Sequence, residues 1–133
     1  MTWTRFSART GSNAIIDHTL YWGSITNHAE GWHLRAILNS PELTQLVHPL
    51  MAYGKDERHI DKHVWKLPIL SYNPAGAFHA RLSELGRQQT ELVARLDLGE
   101  HGNYIMLRQH VRKALAANSS APEVADIVTE LLG

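Results

Sequence analysis

The sequence contains no cysteine. That excludes disulfides and thiolate metal sites and fits a reducing compartment. It has no excess of charge of either sign: 13 Lys plus Arg stand against 13 Asp plus Glu, and the pI is about 7.1. Free-standing nucleic-acid binders are usually basic, because counterion release drives much of their affinity. A nucleic-acid role would therefore need a local basic patch or a partner. No apolar run approaches the ~18 residues that span a bilayer, so no membrane partner is expected. The opening Met1-Thr2-Trp3-Thr4-Arg5-Phe6 lacks the apolar core of a secretory signal, and a cytoplasmic location is expected. Gly-x-Gly-x-x-Gly and Gly-x-Ser-x-Gly are both missing, which removes the common signatures of dinucleotide binding and serine hydrolysis.

At 133 residues the chain suits one domain, long enough to bury a core without a metal. Residues 1–13 are polar and are expected to form an N-terminal arm. The segment Ala14 to Ile25 holds Ile15, Ile16, Leu20, Tyr21, Trp22 and Ile25, residue types that favour strands; a short β element is expected there. Asn27 with Glu30 resembles a capping box and opens a helix through Leu38. Asn39-Ser40-Pro41 stops it and starts a second short helix, Pro41 near its first position. Leu67-Pro68-Ile69-Leu70 reads as an extended segment, and Asn73-Pro74 with Gly76 as a turn.

A helical tail follows. From Ala77 to about Leu98, the residues Phe78, Leu82, Leu85, Gln89, Leu92 and Leu96 recur at spacings of four and three, a heptad-like seam. Packing on the chain's own domain, self-association, or docking on another protein would each use such a seam. A further helix is expected over 103–117, with Tyr104, Leu107, Val111 and Leu115 inward. A last one opens at Ser119-Ser120-Ala121-Pro122-Glu123, with Val124, Ile127, Val128 and Leu131 as its apolar stripe. The fold class expected is α+β with helix dominant: a short N-terminal β element, two short helices, an extended Leu-Pro-Ile segment and a helical C-terminal tail.

Three stretches, taken in order, resemble one family: Ile16-Asp17-His18-Thr19-Leu20-Tyr21-Trp22; His33-Leu34-Arg35-Ala36-Ile37-Leu38-Asn39-Ser40; and His59-Ile60-Asp61-Lys62-His63-Val64-Trp65-Lys66-Leu67-Pro68-Ile69, followed by Phe78-His79. Together they resemble the C-terminal target-recognition region of adenine-specific (N6) DNA methyltransferases of bacterial restriction-modification systems, and more loosely the specificity subunits of type I restriction systems. The resemblance covers roughly Ile16 to Leu98. It implies a recognition-like part over 14–72 and a helical tail over 73–133. It also implies double-stranded DNA as a partner and a methyltransferase catalytic domain or subunit as a second one. S-adenosylmethionine is implied only for the full-length family. No cofactor is expected on this chain, because the glycine-rich methyl-donor loop is missing. The one Asn-Pro, Asn73-Pro74, is followed by Ala75-Gly76, not by the second proline and aromatic that hold a flipped adenine. A chain with these motifs missing is expected not to be an enzyme by itself.

The candidate DNA contacts are Lys55, Arg58, Lys62, His63 and Lys66. The four cations recur at spacings of three and four, which on a helix would align them along one face toward phosphates; Asp56, Glu57 and Asp61 dilute the charge, and an ordinary solvated face has the same pattern. His59 and His63 lie four apart, as zinc-binding pairs on helices do. The third ligand is missing, so no metal is expected. Trp22, Trp32, Trp65 and Tyr21 have the chemistry to stack on bases, but their place in apolar runs favours the core. The alternative function is a helical interaction or oligomerisation module without DNA binding, with a homo-oligomer formed through the 78–96 helix.

Overall fold

The computed structural model describes residues 24–47, 69, 71–99 and 103–133. These form five helices: α1 His28–Leu38, α2 Pro41–Val47, α3 Ala77–Ala94, α4 Tyr104–Ala117 and α5 Ala121–Leu132.

Local chemistry sets most of the boundaries. The Asn27 side chain accepts from the Glu30 N–H at 2.9 Å, satisfying one of the amides that a helix start leaves unpaired. Glu30 reaches back to the Thr26 N–H at 2.6 Å and the Thr26 hydroxyl at 2.8 Å. The expected capping box therefore forms one residue wider than its usual span. Those two donors hold the Glu30 carboxyl below the usual carboxylate range.

Ser40 serves both sides of the α1–α2 junction: its hydroxyl donates to the Ile37 carbonyl at 2.7 Å and accepts from the Leu43 N–H at 3.2 Å. Pro41 follows, where a missing N–H costs nothing. Asn73 folds the turn before α3, its side chain accepting from the Ala75 N–H and its carbonyl from the Gly76 N–H, both at 3.0 Å. Asn103 caps α4 through the Ile105 N–H at 2.9 Å. Asn118 orders the α4–α5 turn by accepting from the Ser120 N–H and hydroxyl.

The core is made of Ala36 and Ile37 from α1, Leu43 from α2, Leu82 and Leu85 from α3, and Val124, Ile127 and Val128 from α5. Leu38, Ile69, Leu131 and Leu132 pack around it. The stripe expected for the last helix is the one that is buried, with Leu131 at its margin. α4 contributes no buried residue.

α1 and α3 pack most intimately, and the reason is a glycine. A Cβ at position 86 would lie 2.1 Å from the Trp32 carbonyl oxygen, so only glycine permits this backbone approach. Polar bonds then lace the two helices together. The Ser83 hydroxyl donates to the Ala29 carbonyl at 2.7 Å, and an Arg35 guanidinium N–H donates to the Thr90 hydroxyl at 2.7 Å.

Three sequence expectations need correction. The α+β class is replaced by an all-helical arrangement: the described residues are 73% helical and contain no strand. The β expectation rested on residue type alone, and residue type is a weak guide to strands. The observed core is filled from helices without a sheet. Leu20-Tyr21-Trp22 lies outside the described residues, while Ser24 and Ile25 are in neither helix nor strand. Of Leu67-Pro68-Ile69-Leu70, Ile69 alone is described.

Second, the long helix ends at Ala94, not near Leu98. Of its seam, Leu82 and Leu85 are buried and Gln89, Leu92 and Leu96 half-buried, but Phe78 is 52% exposed, and the buried face also takes in His79, Ser83 and Gly86. The close approach of α1 selects small and polar residues there. Third, Tyr104 points outward at 55% exposure.

Candidate functional site

The five expected DNA contacts, Lys55, Arg58, Lys62, His63 and Lys66, all lie outside the described residues, as does His59. Of the aromatics, Tyr21, Trp22 and Trp65 lie outside as well. Trp32 is half-buried and lines a cleft of about 470 Å³ between α1 and α3, together with Ile25, His28, Arg35, Arg87, Thr90 and Glu91. The cations of this cleft are occupied. Arg35 is bonded to Thr90, and Arg87 pairs with Glu84 at 2.6 Å and with Glu91. The Arg87 bonds push the Glu84 carboxyl down to about 2.

Beside the cleft lies a buried ring cluster. His33 is fully buried and stacks on His79, centroids 4.8 Å apart and planes 17° apart. Tyr72 tilts against it at 5.2 Å. Among the described residues, neither His33 nitrogen has a hydrogen-bond partner. Burial, with the neighbouring His79 second, pushes the His33 pKa down to about 4, so the ring is neutral near pH 7. Its place inside the α1–α3 seam makes it a packing element. No group of three or more His, Cys, Asp or Glu among the described residues is arranged to hold a metal ion.

The feature with outward chemistry is α4. Its sequence, YIMLRQHVRKALAA, carries Arg108, Arg112 and Lys113 and no acid. α5, APEVADIVTELL, carries Glu123, Asp126 and Glu130 and no cation. A chain of zero net charge thus separates its charge between two successive helices. On α3 the cations are neutralised: Arg81 holds Glu123 in a two-bond pair at 2.5 and 2.7 Å, and Arg87 is held as above. On α4 they are not. Arg112 and Lys113 are exposed and have no carboxylate within ion-pair distance among the described residues, while Arg108 lies over the Tyr104 ring at 5.4 Å.

α4 also leaves large apolar side chains in water: Tyr104, Ile105 and Met106 are 55%, 61% and 66% exposed. Leu107, Val111 and Leu115 are half-buried toward the rest of the domain. The expected site residues did not include this helix. A charge tally by segment would have found it, since three cations without an acid over fourteen residues stand out in a neutral chain.

No family model, curated protein or solved structure matches the chain. No helix among the described residues is long and apolar enough to cross a membrane.

Proposed function

We propose that this chain is a DNA-gripping helical domain, of the kind found at the recognition end of adenine-N6 DNA methyltransferases, and that it has no methyl-transfer activity by itself. The observation that carries the reading is the segregation of charge, with three cations on α4 and three acids on α5. A neutral chain that holds phosphates must concentrate its cations on one face, and α4 supplies such a face. The ordered resemblance over roughly Ile16 to Leu98 supports the link to those enzymes. Arg58, Lys62 and Lys66 are proposed as further phosphate contacts, beside Lys55 and His63. A methyltransferase catalytic domain or subunit, bearing S-adenosylmethionine, is the proposed partner, and the cytoplasm the proposed location.

Fluorescence anisotropy with a random-sequence duplex at 50 and 200 mM salt tests this. The expected result is binding that weakens steeply with salt, and that weakens further in the double variant Arg112→Glu, Lys113→Glu. Absence of binding at low salt would count against the reading.

The exposed Tyr104, Ile105 and Met106 favour a second reading, a protein-interaction module built on α4. Exposed apolar groups of this size commonly mark interaction surfaces. Under that reading DNA binding is absent, and Ile105→Ser abolishes association with a protein partner or a second copy.

A further inference from the structure

α4 presents more than a cationic surface. At about 100° per residue, Ile105, Met106, Gln109, Arg112 and Lys113 fall within roughly 120° of one another around the helix axis. That sector lies opposite the half-buried Leu107, Val111 and Leu115, and all five residues are exposed. The outward face is therefore apolar at its N-terminal turn, amide-bearing one turn on, and cationic one turn beyond that. Ala116 and Ala117 continue it with small side chains.

A surface that only held phosphates would need cations alone. It would gain nothing from Ile105 and Met106, each more than 60% exposed to water. The DNA major groove combines all three chemistries: thymine methyl groups that are apolar, adenine edges whose N6 and N7 match the donor–acceptor pair of a glutamine amide, and phosphates along both rims. A helix with its side chains is about 10–12 Å across, and the groove is about 12 Å wide. The 14 residues of α4 extend about 21 Å, enough to lie along it. No acid on α4 opposes the approach.

We propose that α4 lies in the major groove of duplex DNA and reads sequence there. Gln109 is the base-reading residue, Ile105 and Met106 contact thymine methyls, and Arg112 and Lys113 hold the flanking phosphates. This rests on the DNA-binding reading given above and adds to it the groove, the reading residue and the source of sequence preference.

The test is enrichment of bound sequences from a random duplex pool by the full chain, run beside anisotropy on a random duplex, with Gln109→Ala and Arg112→Ala as variants. Both substitutions place a good helix former at an exposed position, and circular dichroism checks that the fold is kept. The wild-type chain is expected to enrich a motif containing adenine. Gln109→Ala is expected to lose 5- to 100-fold discrimination at one base pair of that motif while random-duplex affinity changes less than about twofold. Arg112→Ala is expected to weaken binding to all sequences and to lower the salt slope by about one.

Salt-dependent binding with no enriched motif, or a motif that Gln109→Ala leaves intact, would overturn the proposal and leave DNA gripping standing. No DNA binding at all would overturn both. A concentration-dependent dimer abolished by Ile105→Ser, with no effect of that change on DNA affinity, would show that a second copy covers this face and would overturn the proposal.

Discussion

Gly86 of α3 meets the carbonyl of Trp32 in α1 so closely that a side chain of one carbon would collide with it. A Cβ at 86 would lie 2.1 Å from that oxygen and 2.8 Å from its carbon, both of them backbone atoms. Gly86→Ala would gain about 1 kcal/mol of helix propensity, yet it must part the two best-packed helices. The expected result is a net loss of about 2 kcal/mol or more, measured by denaturant unfolding. Gly31 is the internal control. There a Cβ meets only the terminal carbon of the Ile25 side chain, at 2.8 Å, which can swing away. Gly31→Ala is expected to be neutral or to stabilise by up to about 1 kcal/mol.

Ser40 is buried at the α1–α2 junction and bonds in both directions. Ser40→Ala removes the cap of α2 and leaves the Leu43 N–H without that acceptor. A loss of about 1–2 kcal/mol is expected, read as a lower denaturant midpoint at unchanged slope. Ser40→Asp, which keeps a capping oxygen but buries charge, is expected to be worse than Ser40→Ala.

His33 couples stability to pH. Its pKa is about 4 in the folded chain against 6.5 for the free side chain. Between those values the unfolded state binds more protons, so stability rises with pH. The ring is neutral and its packing intact above about pH 7. Stability falls as pH drops from about 6.5 toward 4 and then levels as far as His33 is concerned. The full span corresponds to about 3 kcal/mol at most. Glu30, lowered by its bonds to Thr26, adds a separate loss as pH falls from the ordinary carboxylate value through its lowered folded one. His33→Phe retains a ring against Tyr72 and His79 and removes two buried nitrogens that have no partner among the described residues. It is expected to be near neutral or stabilising at pH 7 and to flatten the slope between pH 6.5 and 4. A slope that survives His33→Phe would assign the effect to another titrating group.

Short-range chemistry was legible in the sequence. The cap at Asn27, the break at Asn39-Ser40-Pro41 and the turn at Asn73-Pro74 depend on neighbours a few residues away, and each lies where the residues pointed. The apolar stripe of α5 was legible because Val124, Ile127 and Val128 keep a clean helical period. The buried face of α3 was legible only at Leu82 and Leu85. His79, Ser83 and Gly86 are polar or small, and what buries them is the approach of α1, which no periodicity encodes. His33 escaped for the same reason. The strand expected near Leu20 came from residue type without regard to what fills the core. The site expected over 55–66 lies outside the described residues. On α4, Arg108 and Arg112 lie four apart with Lys113 beside them, and it is their isolation from acids that distinguishes them.

α5 offers a test of charge placement that leaves the proposed DNA face untouched. Asp126 and Glu130 are exposed and have no ion-pair partner among the described residues, whereas Glu123 is held by Arg81. If phosphates approach α4, these two free acids on the neighbouring helix repel them across a distance that salt screens only in part, since the Debye length is ~10 Å at 0.1 M. Neutralising them as Asp126→Asn with Glu130→Gln should tighten binding to a random duplex by roughly 2- to 10-fold at 50 mM salt. The gain should shrink toward nothing at 200 mM. Folding stability should change by less than about 0.5 kcal/mol, as for other exposed substitutions. The variant Glu123→Gln breaks the Arg81 pair instead and is expected to lower stability slightly, as for an exposed ion pair. A tightening by Asp126→Asn with Glu130→Gln that persisted unchanged at 200 mM would mean that the effect is not long-range repulsion, and that DNA touches α5 itself.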